Sequence, residues 1–157
     1  MVETYEAEAK YLKLKLVLGL AEQNEVISWA DKIIEENKVL PPHIIDLSLS
    51  GSKCLGETMV ILDRIVDSDR IGEITVPTFE KILGDLYRHL ESGRISSDKV
   101  AELLYDLSIR RDTTLPEEYE SFCIWVDDEF ALVRQGMKDR EFAESELRKF
   151  LSQTIEE

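Results

Sequence analysis

The chain has 157 residues, with 33 acidic and 19 basic side chains and a formal charge of −14. At 43% hydrophobic and 33% charged residues it is too apolar for disorder and too charged for a membrane protein. That charge repels phosphate backbones and anionic lipid headgroups, which excludes nucleic acid and membrane as partners and favours a basic protein.

The apolar run at 16–21 is closed by Lys15 and Glu22, well short of the ~20 uncharged residues of a membrane span. Glu3, Glu6 and Glu8 stand where a secretory leader would be basic, so the expected address is the cytoplasm. A chain of this length is expected to fold as one domain, 1–157, around one core. Two cysteines, Cys54 and Cys123, are too few for a disulfide framework and are expected to be free, buried thiols.

In chain order, Leu12-Lys13-Leu14-Lys15-Leu16 alternates with a strand period. Its residues are nevertheless good helix formers, and no second convincing strand is available to pair with it. It is expected to be a helix apolar on two sides, Leu12, Leu16 and Leu20 on one and Tyr11, Leu14 and Leu18 on the other. Asn24 is a candidate N-cap for a helix carrying Val26, Ala30, Ile33 and Ile34, closed at Asn37. Pro41 and Pro42 suit the first turn of a short helix ending at Gly51, and Ser52 a cap for the next, with Leu55, Met59, Leu62, Ile65 and Val66 on one side.

Pro77 opens a segment with Phe79, Ile82, Leu83, Leu86 and Leu90 in register up to Gly93, and Ser96 or Ser97 caps another through Leu107. Pro116 starts the longest helix, ending near Gly136, and the last covers about 141–153 with Phe142, Leu147, Phe150 and Leu151 inward. The fold class is therefore all-α, with seven or eight helices. A weak echo between 44–49 (IIDLSL) and 104–109 (LYDLSI) admits HEAT-like helix pairs.

Several stretches imitate chemistry. Residues 51–58 have phosphate-loop glycine spacing, but Glu57 stands where a lysine must meet the phosphates. Residues 67–78 open like a calcium loop, but Arg70 and Ile71 spoil its ligand positions and Thr78 stands where a glutamate belongs. His43 and His89 have no partner at metal-ligand spacing, and neither cysteine has an activating histidine in recognisable context. No enzyme, no metal and no cofactor are expected.

The sharpest charge feature is the window 112–129, with Asp112, Glu117, Glu118, Glu120, Asp127, Asp128 and Glu129 and no base. At ~100° per residue the helix after Pro116 gathers Tyr119, Phe122, Val126, Phe130, Val133 and Met137 on its core stripe. Glu117, Glu120, Asp127 and Asp128 fall opposite, with Ile124 among them and Trp125 and Leu132 on the flank. An apolar and aromatic anchor with a charged rim is the anatomy of a protein-binding patch. The competing reading packs Ile124, Trp125 and Leu132 under a neighbouring helix and leaves the acids as a solvated face.

The phrase 26–34 (VISWADKII) before a Pro-initiated segment at 41–51, and 125–130 (WVDDEF) with a later Gly136, resemble small, acidic, all-helical bacterial immunity proteins of polymorphic and contact-dependent toxin systems. The likeness spans residues 10–152. It implies a tight, single-target toxin inhibitor without catalysis, and with the acidic face the expected target is a basic toxin domain such as a nuclease. The resemblance supplies no binding residues. A scaffold or regulatory adaptor built of HEAT-like pairs is the alternative.

Overall fold

The computed structural model describes residues 2–40, 43–66, 72–111 and 113–153, with side chains from residue 5 onward. Eight α-helices follow in order: α1 Val2–Val17, α2 Gln23–Glu36, α3 Ile44–Ser48, α4 Leu55–Ile65, α5 Val76–Glu91, α6 Ser97–Ile109, α7 Glu117–Arg134 and α8 Arg140–Ser152. A 3₁₀ turn, Ser50–Ser52, separates α3 from α4. Among the described residues there is no β-strand, only an isolated bridge between Glu73 and Thr114, so the chain is all-α as its residue pattern predicts. No described helix is long and apolar enough to cross a membrane.

The chain divides into two units, Met1–Ile71 and Gly72–Glu157. In the first, Ala9, Leu12 and Leu16 of α1 join Val26, Ala30 and Ile33 of α2, Ile44 and Leu47 of α3, and Ile61 and Leu62 of α4. Leu14 is buried as well, so the leucines at 12, 14 and 16 serve two sides of one helix, while buried Leu18 lies in the turn just past it. Polar contacts tie α1 to its neighbours: the Trp29 indole N–H donates to Glu8 at 2.7 Å, Lys13 meets Asp63 at 2.8 Å, and Lys15 lies 3.4 Å from Glu25.

The helix starts differ from the expected caps. Asn24 lies inside α2, whose N-cap is Glu22, and Gln23 of the first turn donates its amide to the Ser50 carbonyl at 2.6 Å and to Thr58 Oγ1 at 2.8 Å. Those bonds pin α2 to the 3₁₀ turn and to α4, and outweigh a capping preference of ~1 kcal/mol. Ser52 belongs to the 3₁₀ turn rather than capping a helix, and Cys54 is the N-cap of α4. Pro41 and Pro42 lie outside the described residues; α3 starts after His43, which takes φ 68°. Cys54 is exposed, contrary to expectation, because the cap position leaves its side chain outside the helix.

In the second unit Pro77, Ser96, Gly93 and Gly136 stand at helix ends as expected, and the cap of α5 is Thr75. Thr75 accepts from the Thr78 N–H at the start of α5, and Ser96 accepts from the Lys99 N–H at the start of α6. Gly93 and Gly136, at φ 79° and 75°, lie just past α5 and α7 in the left-handed region that favours glycine. Phe79, Ile82, Leu83 and Leu86 of α5 are buried, as are Val100, Leu104 and Leu107 of α6, Cys123, Val126 and Phe130 of α7, and Ala143, Leu147 and Leu151 of α8.

Two expectations fail here. Phe142 is 52% exposed, because α8 turns its Ala143–Leu147–Leu151 stripe inward and leaves Phe142 about 100° away from it. Met137 lies beyond the end of α7 and is 68% exposed. The echoed segments occupy different elements: 44–49 forms a five-residue helix and the turn after it, whereas 104–109 is the second half of the thirteen-residue α6. What they share is the burial pattern, with Ile44 and Leu47, like Leu104 and Leu107, facing the core.

Candidate protein-binding face

Helix α7 begins directly after Pro116, and Glu117, Glu118 and Glu120 occupy its first turn, where negative charge complements the helix dipole. Cys123, Val126 and Phe130 turn inward. Glu117, Glu120, Ile124, Trp125 and Asp128 are exposed and Asp127 is half-buried, so one helix presents all six residues singled out from the sequence. Ile124 is 42% exposed and Trp125 37%. Leu132, on the same flank, is half-buried.

Trp125 is the end of a run of aromatic contacts. Its ring lies 5.4 Å from Phe122, Phe122 stacks on Phe150 of α8 at 3.9 Å, and Tyr119 touches Phe150 at 5.8 Å and Phe79 of α5 at 5.2 Å. The indole therefore has a firm base on one side and water on the other.

Charge is distributed unevenly over this unit. On α5, α6 and α8 several acids are engaged: Asp98 bridges Arg134 of α7 at 3.0 Å and Arg140 at 2.7 Å, Glu91 meets Arg148 at 2.9 Å, and Glu144 accepts from the Ser97 hydroxyl at 2.9 Å. Lys99 and Lys149 pair with Glu102 and Glu146, and Arg88 with Asp85. On α7, no hydrogen bond or ion pair joins Glu117, Glu120, Asp127, Asp128 or Glu129 to another described residue. Twenty acids against eleven bases leave the second unit at −9, and thirteen against eight leave the first at −5.

Carboxyl groups on the two sides respond oppositely. Asp98 is held below the usual carboxylate range by its hydrogen bonds from Arg140 and Arg134, which outweigh its partial burial. Asp127 is raised, first by burial and then by its neighbours Asp128, Asp106 and Glu102, against the attraction of Arg134. The Cys123 thiol is pushed up to about 12 by burial, with Glu120 adding, so it is not a nucleophile at neutral pH. Burial, Glu80 and Glu118 together raise Tyr119.

Elsewhere, His43 Nδ1 lies 3.4 Å from Asp46 and His89 is half-buried on α5. Among the described residues no three His, Cys, Asp or Glu side chains are grouped to hold a metal. Glu57 is exposed in the first turn of α4, and residues 67–71 of the acidic loop lie outside the described residues, as does Asp112.

Glu129 is the residue that sequence reasoning missed. Counted among the acids of the window, it is only 5% exposed. The signal was its spacing, three residues beyond Val126 and seven beyond Phe122, which brings it to the edge of the core stripe. Comparison of the chain with known protein families, with curated proteins and with solved structures returned no match.

Proposed function

We propose that the exposed face of α7 binds a basic protein and neutralises it without catalysis, the most concrete partner being a toxin domain such as a nuclease. The observation carrying this reading is the row of carboxylates that make no side-chain hydrogen bond or ion pair among the described residues, set around exposed Ile124 and Trp125. Aromatic anchors rimmed by charge are where interface energy concentrates, and unneutralised charge raises the rate of encounter with an oppositely charged surface. Speed of capture and occlusion of the partner's active site are what an antidote needs. Charge of the same sign on both units disfavours pairing with a second copy of the chain.

The test is association with a basic toxin domain encoded beside the gene, measured by surface plasmon resonance. Reversing Asp127 and Asp128 to Lys is expected to slow association by about tenfold and flatten its salt dependence, since rim charges act on encounter. An unchanged association rate in that folded double variant overturns the reading.

A further inference from the structure

We infer that Glu129 is a recessed acceptor subsite of this face for an arginine side chain of the partner, with the Trp125 indole as the stacking wall. The inference rests on the binding role proposed for α7 and specifies the cation that the face selects.

A side chain 5% exposed normally has its polar atoms matched from within the chain, yet no hydrogen bond or ion pair joins Glu129 to a described residue. None of the described side-chain oxygens or nitrogens that are sealed from solvent lacks a partner, so the Glu129 carboxylate keeps contact with the surface. The Glu129 side chain is thus recessed at the rim of the core, with no ion-pair partner among the described residues.

Its surroundings follow from helix register. Trp125 is one turn earlier on the same flank and Leu132 nearly one turn later. Helices α7 and α8 are joined by a short turn and meet at the Phe122–Phe150 stack, which fixes them side by side and antiparallel. Seven residues along α7 from Phe122 and seven back along α8 from Phe150 bring Glu129 level with Ala143, a small buried residue. Phe142, next to Ala143, stands out from that seam and is 52% exposed. Register thus places Glu129 on the side of α7 that faces α8, one turn from exposed Trp125 and level with the exposed Phe142 end of α8.

That combination favours guanidinium over ammonium. Arginine offers a planar fork that bonds both oxygens of a carboxylate, stacks on an aromatic face and sheds water readily, whereas lysine is a compact, strongly hydrated point charge. The acids at the rim attract either cation; a recessed carboxylate beside an indole discriminates between them.

The experiment uses the full chain in a Trp29→Phe background, so that fluorescence reports Trp125, and titrates nona-arginine and nona-lysine peptides at ~0.15 M salt. Nona-arginine is expected to change Trp125 emission and to bind about five- to tenfold more tightly than nona-lysine. Glu129→Gln is expected to remove that preference, whereas Asp128→Asn weakens both peptides alike. If Glu129→Gln does not fold, as judged by circular dichroism, Glu129→Asp keeps the charge but shortens the reach, and is expected to bind both peptides equally. Preference for arginine retained in whichever variant is folded overturns the subsite alone. Indifference of nona-arginine binding to reversal of Asp127 and Asp128 to Lys overturns the binding role of α7 itself.

Discussion

The paired face of α6 and α8 and the unpaired face of α7 are built from the same acidic residues and behave oppositely. Around Asp98, two arginines converge and the carboxylate is stabilised as an anion; around Asp127, burial and three further acids make the anion costly. A count of 33 acids therefore says little about where a cation would bind. What matters is which acids the chain has already neutralised, and that depends on which helices lie side by side.

The largest effect expected from this contrast is on α7 itself. Phe130→Ala, on its fully buried side, should cost ~3–5 kcal/mol and lower the melting temperature accordingly. Trp125→Ala should cost only about 2 kcal/mol of stability, since its outer edge is already in water and no closed cavity is left behind, while partner dissociation speeds up. Equal stability losses in the two variants, measured by urea denaturation, would remove the distinction between the faces.

Next in size is Asp98→Asn, expected to cost ~1 kcal/mol at pH 7, a modest figure because the bridge is partly exposed to solvent. The folded pKa of Asp98 lies below its ordinary 3.8, so its contribution is present above that pH and disappears as pH falls through the folded value. Wild type and variant should therefore converge in strong acid.

Asp127→Asn should behave with the opposite sign. Its folded pKa is raised above 3.8, so ionisation opposes folding as pH rises through the raised value. The asparagine variant should be more stable than wild type at pH 7, by about 0.5 kcal/mol, and equal to it below pH 3.8. The gain at pH 7 would come with weaker partner binding, which separates it from a general improvement of the fold.

The smallest effect is a labelling count. One thiol, Cys54, should react with a thiol reagent in the folded chain, and Cys123 only on unfolding, because it lies on the buried side of α7 with its pKa near 12. Rapid reaction of both would mean that the inward face of α7 is misassigned.

Much of the helical frame is legible in the residues. Pro77, Ser96, Gly93 and Gly136 mark their helix ends because first-turn proline, capping and left-handed conformation are local matters, decided within one turn. The alternation at 12–16 resolves to helix for a related reason, since the helix preference of Leu, Lys, Glu and Ala adds up over the whole segment. The starts of α2 and α4 were not legible, because Gln23 answers to groups 27 and 35 residues away.

The candidate site divides in the same manner. Its acids and the 3.6-residue register that sets them opposite Val126 and Phe130 are properties of the sequence. The exposure of Trp125, the neutralisation of Asp98, and the recess holding Glu129 are not. Each depends on where α8 comes to rest beside α6 and α7, and burial and ion pairing are set by atoms from separate helices that only tertiary packing brings within a few ångströms.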